Sequence, residues 1–174
     1  LMDILAMALT REVPKLLRDG VRIRFVGARE NLSARVKAGL VDAEFSTRGN
    51  TLLNLNVCFN YGGRWDIATA AASLAASAVP ITEASLSGAL ALAHCADPDL
   101  LIRTGNEKRL SNFLLWQAAY SELCFSELLW PDFDEAALDA ALLEYASRER
   151  RFGKTPDQVA GDPGAISRIK GPHA

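Results

Sequence analysis

The sequence predicts an α/β domain with a largely parallel central sheet flanked by helices. Three observations carry that expectation. Strand-like runs alternate with helical stretches along the 174 residues, the pattern of βαβ units. The run Leu100-Leu101-Ile102 is continuously apolar, which suits a strand covered on both faces. Hydrophobic residues make up 49% of the chain and charged residues 23%, a balance that supports one packed core.

Residues 1–18 carry Leu5, Leu9, Val13 and Leu16 or Leu17 at helical spacing, and Asp19-Gly20 ends the helix. Met2, Ala6 and Met7 spread the apolar character around it, as in a helix that is buried or lines something greasy. "VRIRFVG" alternates apolar and basic residues and reads as a strand. Residues 31–46 read as a helix capped by Asn31 or Ser33. "NTLLNLNVCFNYGG" holds a second strand and a glycine turn. Helices follow over 64–78, rich in alanine, and over 82–92 behind Pro80. "PDLLIRTG" is the third strand, residues 112–120 a short helix, and "LCFSELLW" holds the fourth strand. Asp132 or Asp134 caps a last helix to about Arg151, with Leu138, Leu142 and Tyr145 inward and Gly153 as its stop. With no repeats and no linker, residues 1–153 read as one domain and 154–174 as a mobile tail.

A net charge of −2 gives no overall basic field to hold nucleic acid, so any anion site must be local. Cys58, Cys95 and Cys124 lie far apart without zinc-ligand spacing, which fits a reducing, cytoplasmic setting. No apolar run reaches membrane-spanning length. The motifs GxxxxGK[ST], GxGxxG and GxSxG are missing, and two histidines give little basis for a histidine-centred triad.

The chemistry concentrates in "LIRTGNEKRLSNFLLWQ", residues 101–117. Arg103 and Arg109 offer planar forks suited to phosphate oxygens, and Ser111 adds a hydroxyl. Gly105 lets the backbone approach a ligand, and the helix expected near Asn112 would point free N–H groups at an anion. Together these residues read either as a diphosphate cradle or as a solvated basic loop ending in a helix cap. "NYGGRWD" reads as a turn at Gly62-Gly63 with Trp65 packed behind it, or as a second anion contact through Arg64. Glu122 is a surface charge, an ion-pair partner or a metal ligand. The cations of "RERR", residues 148–151, complement a helix C-terminus.

"DLLIRTGNEKRLSNFLLWQAAYSELCFSELLWPDF", followed by "RERRFG", closely resembles the bacterial cis-prenyltransferases of the undecaprenyl diphosphate synthase type, and "NLNVCFNYGGRWDI" and "GVRIRFVG" match the same family in order. The resemblance runs from Leu1 to about Gly153. It implies the family's butterfly-shaped homodimer and its reaction, in which isopentenyl diphosphate is condensed onto an allylic diphosphate of farnesyl type to give a Z-polyprenyl diphosphate for the cell-wall lipid carrier. It also implies that Arg103, Arg109 and Ser111 hold the isopentenyl diphosphate, that Glu122 is associated with Mg²⁺, and that Arg151 and Gly153 of the RxG element reach the neighbouring subunit's site. The opening helix becomes one wall of the product tunnel. Location is expected in the cytoplasm or at the inner membrane face, with transient membrane contact for product release.

Two departures stand out. Asn106 replaces the small residue of the family's RTGG or RTSG. The family's HxxDGNxRWA-like segment, with the aspartate that organises Mg²⁺ and the allylic diphosphate, has no match here and is expected ahead of Leu1. No catalytic residue is therefore assigned in this chain, and little activity is expected of these residues alone. The alternative is a non-catalytic partner subunit of a heteromeric cis-prenyltransferase, which would lack the aspartate and still donate RxG.

Overall fold

The computed structural model describes residues 11–148. In order these form a helix α1 described over 11–18, β1 (Val21–Val26), α2 (Ala34–Thr47), β2 (Leu53–Cys58), α3 (Gly63–Ala76), α4 (Glu83–Ala89), β3 (Leu100–Arg103), β4 (Glu122–Phe125) and α5 (Glu135–Ser147), with a 3₁₀ turn at Trp130–Asp132 before α5. The expectations for residues 1–10, for Arg151 and Gly153, and for the 154–174 tail lie outside the described residues.

All strand pairing described is parallel, as the α/β expectation has it, and it falls into two pairs: β1 with β2, and β3 with β4. Alternation within a strand fixes which faces its side chains take, not which strand it joins. The chain divides into two compact units, residues 1–96 with 111–116, and residues 97–110 with 117–174.

In the first unit, the alternation of "VRIRFV" sends Ile23 and Phe25 into a core with Leu32, Val36, Leu40 and Ala43. Ser33, one of the two expected caps, accepts a hydrogen bond from the Val36 N–H and starts α2. Helix α2 also closes the edge of β1 turned away from β2. Thr47 Oγ1 accepts from the Ile23 N–H at 3.1 Å, and Glu44 Oε1 accepts from the Phe25 N–H at 2.7 Å. Asn50 Nδ2 donates to the Val21 carbonyl at 2.8 Å, and Arg29 Nη2 to the Phe25 carbonyl at 2.8 Å. Side chains thus spend the backbone groups that another strand would need.

A second cluster joins α3 to α4 through Ala70, Leu86 and Leu90. Thr82 and Ser85 form a reciprocal capping box at the start of α4. Asp66, in the first turn of α3, is a buried carboxylate that accepts from the Tyr61 hydroxyl at 2.7 Å and the Ala91 N–H at 2.8 Å. It pins the segment after α4 back onto α3.

In the second unit, Leu101 on β3 and Cys124 on β4 are buried. Asp134, not Asp132, caps α5 by accepting from the Ala137 N–H at 2.9 Å. Leu138 and Leu142, expected to face inward, are 41% and 45% exposed, whereas Ala141 is buried. The apolar stripe of α5 is wider than the strip its neighbours in the unit cover. The helix ends at Ser147, short of Arg151, because Arg148 takes an extended conformation at its C-cap.

Candidate diphosphate site

Arg103 is the last residue of β3, so its side chain leaves the carboxyl end of a parallel strand, where open α/β sheets place their ligands. The loop beyond it is tied down by its own backbone. The Gly105 N–H donates to the Leu128 carbonyl at 2.7 Å, and the Asn106 N–H to the Ser126 carbonyl at 3.0 Å. The Ser126 N–H returns to the Arg103 carbonyl at 2.8 Å. This turn needs positive φ at two successive residues, Gly105 at 88° and Asn106 at 56°. Asparagine tolerates that region better than most residues, so Asn106 fits where the family carries a small residue.

The turn brings Arg109 back to Arg103. Arg103 Nη1 donates to the Arg109 carbonyl, Glu107 pairs closely with Arg109, and the Glu107 carboxylate lies 4.0 Å from Arg103. Two guanidiniums therefore share one internal carboxylate. Ser111, the third expected ligand, belongs to the other compact unit and has φ 48°.

The helix expected over 112–120 does not form; the segment is a succession of bends and turns. Ser111 and Asn112 both take positive φ, which an α-helix start cannot use. Asn112 instead caps a different helix. Its carbonyl accepts from the Gly63 N–H and its Oδ1 from the Arg64 N–H, both at 2.9 Å, at the N-terminus of α3. The N-cap of α3 is Gly62, which has no side chain to do this. A Cβ on Gly63 would sit 2.3 Å from the Phe113 carbonyl, so the glycine pair of "NYGGRWD" makes room for this segment. Trp65 packs edge-on to Tyr61, the packing role expected of it, while Arg64 contributes its backbone N–H. Sequence reasoning missed Asn112 and Asp66 as organisers of α3. The signal available was a glycine N-cap that needs a donated partner.

Glu122 opens β4 and meets Arg148, the C-cap of α5, at 2.9 Å. Arg148 also donates to the Leu123 carbonyl at 3.1 Å and pairs with Glu144. These two carboxylates raise the pKa of Arg148. The arginine read as a helix-dipole partner is thus spent on Glu122 and Glu144. Among the described residues no three carboxylate, histidine or cysteine side chains converge as a metal cage. Glu122 is one carboxylate already paired with Arg148, so it does not fit a structural zinc and suits at most a Mg²⁺ that keeps its waters and rides on substrate phosphates.

The chain is 48% identical over 160 residues to the isoprenyl transferase of Neisseria gonorrhoeae, covering 91% of this chain and 64% of that protein. It is 47% identical over 169 residues to the farnesyl-diphosphate-specific ditrans,polycis-undecaprenyl-diphosphate synthase of Pseudomonas aeruginosa, covering 93% of this chain and 67% of that one. The structure matches lavandulyl diphosphate synthase from Lavandula x intermedia, crystallised with dimethylallyl diphosphate, with a TM-score of 0.83 and 34% identity over 88% of this chain and 70% of that one. It matches a "probable undecaprenyl diphosphate synthase" from Campylobacter jejuni with a TM-score of 0.81 and 35% identity over 87% and 72%. Residues 1–153 match the prenyltransferase family described as "Putative undecaprenyl diphosphate synthase", and the chain belongs to that family.

Proposed function

We propose that this chain carries the isopentenyl diphosphate half-site of a Z-prenyl chain-elongating transferase, which condenses that substrate with an allylic diphosphate of farnesyl type to build undecaprenyl diphosphate. The observation that carries the reading is the placement of Arg103 at the carboxyl end of β3, hydrogen-bonded back to Arg109 by a turn stitched to the segment after β4. Relatives named for this reaction support it.

Arg103 and Arg109 grip the diphosphate through charge-assisted hydrogen bonds and so fix the orientation of the alkene it carries. Holding the loop through its backbone fixes where both arginines stand, so that a diphosphate can take the place of Glu107. Ser111 is assigned to the same diphosphate by the family resemblance. Glu122 would hold Mg²⁺, and the ion, when bound, supplies positive charge to screen phosphate oxygens. Arg148 orients the Glu122 carboxylate. Arg151 and Gly153 are assigned to the RxG element of a homodimer by the family resemblance alone. The site works at the cytoplasmic face of the inner membrane, where the product leaves.

Calorimetric titration tests this reading without requiring turnover. Arg103→Ala loses two charged hydrogen bonds, so isopentenyl diphosphate binding is expected to weaken about a hundredfold. Binding of the allylic diphosphate should change far less. Equal losses for both ligands would contradict the assignment.

A further inference from the structure

Arg22 and Arg24 are two apart on β1, so they share the face opposite Ile23 and Phe25, about 7 Å from one another along the strand. Both are half-buried. Neither has an ion pair among the described residues. They line a cavity of about 440 Å³ with Trp65, Ala91, His94 and Glu44, all in the first compact unit. Glu44 does not neutralise them, because its Oε1 is already held by the Phe25 N–H and by Arg29 at 2.7 Å each. His94 faces the same charges. Its Nε2 lies 2.8 Å from Asn56 Oδ1, and Asn56 is the cross-strand partner of Arg24. Burial first, then the charge of Arg24, holds the His94 pKa below the usual histidine range; the Ala91 backbone raises it, and Arg22 lowers it further.

Two forks and an imidazole thus line one cavity, where the one carboxylate among the described residues is committed elsewhere. Such an arrangement disfavours itself until a negative group enters. Trp65 gives the cavity a flat apolar wall. We propose that this face of β1 is a second oxyanion site, taking a phosphate group through Arg22 and Arg24, with its organic remainder against Trp65. The site uses none of the residues assigned to isopentenyl diphosphate, so it stands or falls apart from that reading.

The chain has two histidines, and His173 serves as an internal control for the ring signals of His94 in an NMR titration. One arm adds inorganic diphosphate, and the other adds vesicles of phosphatidylglycerol. A saturable His94 shift with diphosphate identifies a soluble ligand; a shift with vesicles alone identifies a lipid headgroup. Either is expected to weaken at least about tenfold in R22Q/R24Q and to persist in Arg103→Ala. Arg22→Lys and Arg24→Lys, which keep the charge, guard against a folding defect and should each cost several-fold by losing the fork. The proposal is overturned if His94 in the folded protein responds to neither probe. It is also overturned if the response survives R22Q/R24Q or is unchanged in both lysine variants.

Discussion

The loop after β3 and the outer face of β1 each present two arginines, and they differ in what neutralises them. Arg103 and Arg109 share Glu107, four residues after the first and two before the second. Among the described residues Arg22 and Arg24 have no such carboxylate, and the acid on their cavity wall is turned toward the strand edge. Arg148, by contrast, has two carboxylates, Glu122 and Glu144. The difference follows from the backbone. A turn can fold an acid back onto neighbouring cations within a few residues, as Gly105 and Asn106 do here. An extended strand places i and i+2 side by side but gives them nothing of opposite charge unless a neighbouring strand supplies it. On β1 the supplier would be β2, and at the position paired with Arg24 it offers Asn56, which is uncharged.

The sharpest test gives the strand pair the counter-ion it lacks. Asn56→Asp places a carboxylate opposite Arg24 and against His94. Diphosphate binding on this face should fall about tenfold, since an internal anion now competes for the forks. The same change should raise the His94 pKa. In the unaltered protein the depressed pKa means that the unfolded chain binds the imidazole proton more readily than the folded one. Stability is therefore full above the usual histidine range and declines as pH falls through it. Asn56→Asp should lessen that decline in thermal melts between about pH 5 and 7. A variant that binds diphosphate as well as its parent would show that the two arginine pairs do not differ in the way described.

Much of this contrast was legible in the sequence. The alternation of "VRIRFV" puts both arginines on one face, and the step from Leu100-Leu101-Ile102 to Arg103-Thr104-Gly105 marks a strand end with cations beyond it. What could not be read is what depends on distant partners. Residues 112–120 have the composition of a helix, yet Asn112 is spent on the N-terminus of α3, Trp116 Nε1 on Ser87 Oγ at 2.9 Å, and Gln117 is buried. Those tertiary commitments outweigh a helix propensity worth only tenths of a kcal/mol per residue. Glu144 and Arg148 stand at the spacing of a helical ion pair, so their contact was available to inspection. The meeting of Arg148 with Glu122 was not, because it joins a helix end to a strand start 26 residues away. The sorting of four strands into two pairs is likewise a matter of long-range pairing.

The smallest effect is expected at Glu107, and it probes the other side of the comparison. If this carboxylate only stands in for the ligand, Glu107→Gln relieves a competition for both forks. The Arg109–Glu107 pair is well exposed, 66% and 38% at the two side chains, so solvent screens it and its worth is below about 1 kcal/mol. Isopentenyl diphosphate binding should therefore tighten by about threefold, with the gain fading as salt is added. If Glu107 instead holds the forks at the spacing a diphosphate needs, the same substitution weakens binding, and the loss persists in salt because it is geometric. Calorimetry at low and high ionic strength separates the two. The first outcome makes the carboxylate a placeholder. The second makes it a scaffold, and the loop would then owe its selectivity to the acid as much as to Arg103 and Arg109.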